Sequence, residues 1–285
     1  MSGQPNAADD QHQYWNRQAT NVWADRHTQI DSMFAQVTAL ALTHAAPRPG
    51  EHVLDIGCGA GTTTLELASR VTRGGSVLGA DLSRHSVARA NQRISEAGVP
   101  NAQVILADAG SHAFTRNAFD LAFSRFGVMF FPDPVASLRH VRTAMRPGAR
   151  LNFVVFRARQ DNPFVTSPYA AVAHLLPPMT PPGPEEPGQF SWADPARVRR
   201  ILDGAGFRDV SLTPHDPMMC LMHSGGAAEA AELTMQIGAV SRALADMPAP
   251  PVEAVRAALQ AFFRHHETAD GITLPAAIWI VQARA

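Results

Sequence analysis

Val53-Leu54-Asp55-Ile56-Gly57-Cys58-Gly59-Ala60-Gly61-Thr62 is the stretch on which the reading of this chain turns. A short apolar run of strand character passes into a glycine loop, and the loop opens a segment of helical character. Glycine lets a backbone come close to a ligand, with the N–H groups of the loop and of the helix start aimed at it. A tight turn that binds nothing has the same local sequence, so the residues around the loop must decide.

Three details select a ligand. The glycines are spaced G-x-G-x-G, whereas a dinucleotide loop has G-x-G-x-x-G/A, and position 62 here is Thr. Asp55 ends the strand just before the loop. A carboxylate there repels a pyrophosphate but accepts hydrogen bonds from an ammonium group, directly or through water. Asp81 ends the next apolar run, where a carboxylate can take both hydroxyls of a ribose. The expected ligand is a nucleoside with a cationic, amino-acid-like tail and no phosphates, a description that S-adenosylmethionine meets.

Outward from the loop, strands and helices alternate. Apolar runs at 52–56, 76–80, 103–107, 119–124 and 150–156 are separated by helix-like segments at 62–70, 83–97 and 134–145, with Gly and Pro pairs at the turns. This alternation predicts a parallel sheet covered by helices on both faces. Upstream, residues 12–46 read as helical, with Trp15, Trp23, Ile30, Phe34 and Val37 on an apolar face. Downstream the texture changes. A helix over 163–176 is followed by a segment, 177–188, in which six of twelve residues are Pro, a stiff loop. Asp194 and Pro195 start a helix that Gly204 and Gly206 stop. Residues 210–213 read as a strand, 227–245 and 252–265 as helices, and 276–283 as a closing strand.

Val53–Gly61, then Gly79-Ala80-Asp81-Leu82-Ser83, Leu106-Ala107-Asp108-Ala109 and Phe119-Asp120-Leu121, in that order and at this spacing, resemble the motif series of class I S-adenosylmethionine-dependent methyltransferases, of the variety that acts on ubiquinone- and menaquinone-type small molecules. The resemblance spans roughly residues 12–156. It implies an α/β, Rossmann-like methyltransferase fold: a doubly wound, mostly parallel seven-stranded sheet with one antiparallel edge strand. Residues 1–285 would form a single methyltransferase domain, with 1–46 as an N-terminal helical lid, 47–156 as the cofactor-binding core, and 157–285 as a substrate-side helical insertion with the closing strands. Carried over by position, Gly57, Cys58 and Gly59 line the methionine portion of S-adenosylmethionine, with Asp55 and Gly61 completing the loop. Asp81 holds the ribose, Leu82 packs on adenine, Asp108 accepts from the adenine amino group, and Ala109 offers its backbone N–H. Ser124 lies near the sulfonium and the substrate entrance.

The activity so implied moves a methyl group from S-adenosylmethionine to an O, N or C atom of a small, largely apolar molecule, leaving S-adenosylhomocysteine. Such a displacement has an activated leaving group, so the protein contributes alignment and exclusion of water. Tyr14, Trp15 and Trp23 are expected in the lid, as aromatic faces near a sulfonium (about 0.5–2 kcal/mol per cation–ring contact) or as anchors to the core. Trp23, Arg125, Phe126 and Met129 are the candidate substrate residues; Arg125 either binds an anionic group of the substrate or pairs with Asp133. Methionines at 129, 179, 218, 219, 222, 235 and 247 are either an adaptable apolar lining or core filler. Some relatives place a His after the fourth strand; this chain has Phe130 and Phe131 there, which leaves His112 and His27 as base candidates. The alternative is a protein of the same fold that binds S-adenosylmethionine without methylating, as a partner subunit or a rearrangement catalyst.

Composition sets the outer bounds. All 24 basic residues among the 285 are Arg, against 25 acids, so no lysine-dependent P-loop, pyridoxal or Schiff-base chemistry is open to the chain. A net charge of −1 and the absence of an [Asn/Asp/Ser]-Pro-Pro-aromatic motif at 124–127 argue against nucleic acid as substrate. Two cysteines make neither a disulfide framework nor a thiolate zinc site, no metal is expected, and no run of about 18 apolar residues suggests a membrane span. The expectation is a cytoplasmic protein whose partner is a small molecule, with a homodimer as the assembly this reading admits.

Overall fold

The computed structural model describes residues 7–16, 21–180 and 182–285. Helices α1 (Ala7–Trp15), α2 (Val22–Asp25), α3 (His27–Met33) and α4 (Ala35–Ala45) come first. The alternating region follows as β1 (His52–Ile56), α5 (Thr62–Val71), β2 (Ser76–Asp81), α6 (Arg84–Glu96), β3 (Ala102–Leu106), β4 (Phe119–Arg125), α7 (Pro134–Ala144) and β5 (Met145–Phe156). The last part comprises α8 (Pro163–Val172), α9 (Pro195–Gly204), β6 (Arg208–His215), β7 (Met218–Met222), α10 (Gly226–Gln236), α11 (Gly238–Ala245), α12 (Val252–Arg264), β8 (Glu267–Thr268), β9 (Gly271–Pro275) and β10 (Ile278–Arg284).

Local chemistry explains the helix starts. Ser83 caps α6 by accepting from the Ser86 N–H, Asp133 caps α7 through the Ala136 N–H, and Asp194 caps α9 through the N–H groups of Ala196 and Arg197. Pro at the first helical position of α7 and α9 loses no intrahelical bond there. The long helical stretch read upstream is instead broken at Arg26 and Phe34, neither of which supplies a side-chain cap. Likewise the 227–245 reading divides into two helices, because Ile237 is extended and Gly238 has a φ of +72°.

The main sheet has seven strands in the order β3-β2-β1-β4-β5-β10-β6. Pairings among β1 to β5 are parallel, and β10 runs antiparallel to both β5 and β6. The antiparallel strand is therefore second from the edge, not on it. Burial gives the reason: Ile278, Ile280 and Val281 of β10 are fully covered, whereas β6 has no buried residue. At the centre, Val53, Leu54, Leu121, Ala122 and Phe123 are inaccessible on both faces, as a parallel sheet between helix layers requires.

A small second sheet, β7-β9-β8, was not foreseen in the sequence. It lies with α8 and α10–α12 above the carboxyl ends of the main strands; β7 packs on α3, and α8 packs on α12 and β9. Asn162 ties this superstructure to the sheet. Fully buried, it donates to Ala158 O (3.0 Å) and accepts from the Ala277 N–H (2.8 Å) just before β10. Among the described residues no helix is long and apolar enough to cross a membrane.

Asn162→Ala strands the buried Ala277 N–H, and an unmade buried hydrogen bond costs about 1–3 kcal/mol. Urea denaturation should show a loss in that range, and an unchanged midpoint would remove Asn162 as the tie.

Candidate active site

The glycine loop lies where β1 meets β4, at the carboxyl ends of the central strands, the usual ligand position in an open α/β sheet. Gly57 has a φ of +69°, and a Cβ on it would sit 2.7 Å from Gly127 Cα, so the two backbones touch. Ser124 Oγ fastens this approach: it donates to Ile56 O (2.7 Å) and accepts from the Gly127 N–H (3.2 Å). Gly59 differs, for a Cβ there would meet nothing within 4 Å.

The carboxylates divide by environment. Asp55 is fully buried behind the loop. Its Oδ2 accepts from the hydroxyls of Thr63 and Thr64 (2.7 Å each), while Oδ1 has no partner among the described residues. Desolvation pushes its pKa up to about 6, against the opposing pull of the two threonines and of the Arg125 charge. Asp81 accepts from the Gly59 N–H at Oδ2 and from the Ser83 N–H at Oδ1 (2.8 Å each), and burial raises its pKa as well. Each oxygen keeps a further lone pair for a hydroxyl donor. Asp108 shapes its own turn through the Gly110 N–H (2.8 Å) and Ser111 Oγ (2.9 Å).

A cavity of about 540 Å³ opens over these groups. Its first half is walled by Gly57–Ala60, Asp81–Leu82 and Asp108–Ala109. Its second half is aromatic: Phe126 stacks on Phe156 (4.3 Å, 10°), Phe34 leans on Phe126 and meets Phe164 edge-on, and Tyr169 and Val240 come from the superstructure. Trp15, set edge-on to Phe130 at 5.1 Å, and Trp23 close the side facing α1 and α2. Arg125 is partly buried in the second half. Its Nη1 donates to Thr38 Oγ1 (2.7 Å), and its guanidinium lies 5.1 Å from the centre of the Phe34 ring.

Of the residues expected at the site, Gly57, Cys58, Gly59, Asp81, Leu82, Asp108, Ala109, Trp15, Trp23, Arg125, Phe126, Met129 and His27 line this cavity. Asp55, Gly61 and Ser124 are not in its wall. Gly61 is pressed against Ala90 and begins α5, and Ser124 is wholly buried in the β1–β4 contact, so its place beside the reacting atoms does not hold. His112 is also outside: it is exposed, its ring lies against Phe114, and its carbonyl accepts from His140 Nε2. His27 lines the cavity. Its Nδ1 lies 3.0 Å from Ala24 O, an acceptor, which places a proton on Nδ1 and leaves Nε2 able to accept. Asp133 is occupied as the α7 cap, so the Arg125–Asp133 pairing is not formed. Cys58 is buried, and desolvation together with the nearby Asp81 and Asp55 charges holds it as a thiol. Of the methionines outside the cofactor half, Met129 alone among those singled out lines the cavity; Met219 and Met222 fill core.

The sequence reading missed Asp31. It pairs with Arg93 (2.9 Å) and accepts from Thr62 Oγ1, while Arg93 also reaches Ala60 O (2.7 Å), so α3 is tied to the loop and to α6. No local motif marks such a pair. Phe164 and Tyr169 were also missed: five positions apart, they fall outside the i, i+3 and i, i+4 spacing that marks one helical face.

The donor set fits the ligand inferred from the sequence. An open cradle at Gly59, spare acceptor capacity on Asp81 and an orphaned buried Asp55 oxygen suit a nucleoside with a cationic tail, and no permanent cation stands in the loop to grip a phosphate.

Residues 47–177 match the methyltransferase domain family. The aklanonic acid methyltransferase DauC of Streptomyces sp. (strain C5) is 32% identical over 163 residues, 54% of this chain and 68% of that protein. A demethylmenaquinone methyltransferase of Corynebacterium kroppenstedtii is 28% identical over 189 residues, 64% of this chain and 77% of the relative. Among solved structures, the [4+2]-cyclase SpnF superposes with a TM-score of 0.54 at 19% identity, over 87% of this chain and 80% of its own, a likeness of fold. Fold and site thus define a Rossmann-like methyltransferase architecture. The chain belongs to the S-adenosylmethionine-dependent methyltransferases and is an enzyme of that family.

Because the fold disfavours ionised Asp55, its carboxylate costs nothing below about pH 4 and its full penalty above about pH 6. Asp55→Asn should therefore gain stability over the parent as pH rises through that window, approaching about 3 kcal/mol by neutrality. Denaturation midpoints at both ends of the window test this; a gap that shrinks with rising pH has the wrong sign.

Proposed function

We propose that this enzyme methylates a small, largely apolar molecule held in the aromatic half of the cavity. The observation that carries the reading is the continuity of that half with the glycine loop: one continuous cavity joins a nucleoside-type site to an apolar chamber. The relatives named for aklanonic acid and demethylmenaquinone support a small-molecule acceptor. The cyclase shares the fold with this chain and lends no weight to a non-methylating role.

In this reading Gly57, Cys58 and Gly59 border the amino-acid tail, Asp81 takes ribose hydroxyls with the lone pairs its backbone bonds leave free, and Leu82, Asp108 and Ala109 receive adenine. Asp55 acts from behind the loop as a buried negative charge. Bound S-adenosylmethionine supplies an electrophilic methyl group on a sulfonium. Residues 1–46 serve as a lid over a core at 47–156, and 157–285 build the acceptor side and close the sheet. Trp15, Trp23 and the Phe34–Phe126–Phe156 cluster keep water out, which strengthens every polar contact inside. Met129 and Phe126 shape the chamber floor. His27, with Nε2 free to accept, is the group that takes a proton when the acceptor atom carries one.

Incubation with S-adenosylmethionine and a panel of aromatic acids, phenols and amines should yield a mass gain of one methyl together with S-adenosylhomocysteine; a panel without any gain counts against the reading. Asp81→Ala should weaken S-adenosylmethionine binding by about 1.5–3 kcal/mol, the scale of hydrogen bonds to a charged group, and unchanged calorimetric affinity would refute its role. His27→Ala should keep turnover within about tenfold of the parent if alignment dominates, whereas a loss of about 10²-fold or more would make it a general base.

A further inference from the structure

The least expected group in the aromatic chamber is a cation. Arg93, Arg146, Arg150 and Arg157 each close on a carboxylate. Arg125, at the end of β4, does not. Among the described residues its guanidinium has one hydrogen-bond partner, the neutral Thr38 hydroxyl, and the aromatic ring of Phe34 beside it. Two acids are near enough for their charges to reach it, yet neither bonds to it: Asp31 pairs with Arg93 and Thr62, and Asp55 accepts from Thr63 and Thr64 through one oxygen and leaves the other unpartnered among the described residues. Burial pulls the Arg125 pKa below its usual range, although arginine remains charged at any physiological pH.

Taking a guanidinium out of water without a counter-charge is costly, and the cost is recovered when a matching anion arrives. The guanidinium fork matches a carboxylate, with two parallel N–H···O bonds, better than any other common group. One arm of Arg125 is taken by Thr38, and the residue stands in the cavity wall with its other N–H groups unbonded among the described residues. The residue beside it in the chain is also constrained. Phe126, next in the chain, has a φ of +67°, a strained value for a bulky residue, and is held there by its stack on Phe156. The rings around the guanidinium accept flat apolar surface, and the one acid in the same wall whose charge reaches it, Asp31, is held by Arg93.

We propose that Arg125 is the anchor for a carboxylate borne by the acceptor substrate, so that this enzyme takes aromatic or polycyclic carboxylic acids as their anions. This rests on the methyltransferase reading above and narrows its substrate class.

The test compares naphthoate with naphthamide, which share a shape and differ in charge. Binding to the full chain saturated with S-adenosylhomocysteine is followed by tryptophan fluorescence and calorimetry at about pH 8, where a free aromatic carboxylic acid is ionised. Naphthoate should bind at least about tenfold more tightly than naphthamide, a difference of about 1.4 kcal/mol. Arg125→Gln should abolish that preference by weakening naphthoate at least about tenfold more than naphthamide, and Arg125→Lys should restore part of it. A purely structural Arg125 would change both ligands alike. Equal binding of the two probes by the parent protein, absence of naphthoate binding, or a preference that survives in Arg125→Gln would each overturn the proposal. S-adenosylhomocysteine affinity, measured first and alone, keeps the two readings apart: if it binds and naphthoate does not, only the anchor fails, and if it does not bind, the methyltransferase site itself is misplaced.

Discussion

The backbone contact between Gly57 and Gly127 is the constraint on which the rest of the site depends. Two strands that are neighbours in the sheet send their following turns into one another, and only the absence of a Cβ on both lets them close. Ser124 bonds to both sides of the contact, which is why a hydroxyl buried away from any ligand still belongs to the site. Because the loop that receives the cofactor and the turn that carries Arg125 and Phe126 touch, the distance from donor to acceptor chamber is set by main chain. Side-chain rotamers have little say in it, and in a reaction governed by alignment that rigidity is a direct contribution to rate.

A second theme is how the fold handles charge in its interior. Asp55 has a raised pKa because two threonine hydroxyls replace only part of the hydration it gives up. Asp31 and Arg93 are paired and also bonded to Thr62 and Ala60, so their separation from water is compensated on both sides. Arg125 is neither paired nor solvated in the same measure. Uncompensated polar groups of this kind are the places where a ligand has most to gain.

Much of this was legible in the sequence where the chemistry is local. The strand-to-glycine-loop transition at Val53–Thr62, the acids ending β2 and following β3, and the Ser and Asp caps all act within a few residues, and they place the alternating core within a residue or two of its observed bounds, except that β5 begins at Met145, five residues before the strand read at 150–156. What was illegible depends on partners distant in the chain. Ser124 and Ala122 look alike as strand residues until β1 is set beside them. The position of β10 between β5 and β6 follows from burial on two faces, which a seven-residue strand does not announce. The Met218–Met222 run became a strand of a second sheet because Gly271–Pro275 pairs with it, and sequence read in order cannot supply that pairing. His112 was favoured for its nearness to Asp108 in the chain, but the turn that Asp108 builds sends it outside the cavity.

The register at the sheet's far edge has a consequence for how such an enzyme changes over generations. His215, the last residue of β6, is paired with Ile278, the first of β10, so the chain between them leaves and re-enters the sheet at one rung of the ladder. An excursion whose two ends are pinned together can lengthen, shorten or be exchanged at a small entropic cost, because closure depends only weakly on loop length. That excursion holds β7, α10 and α11, which reach the acceptor chamber, and none of the residues of the glycine loop. Substrate choice can therefore drift in one stretch of chain while the cofactor side stays under an independent selection.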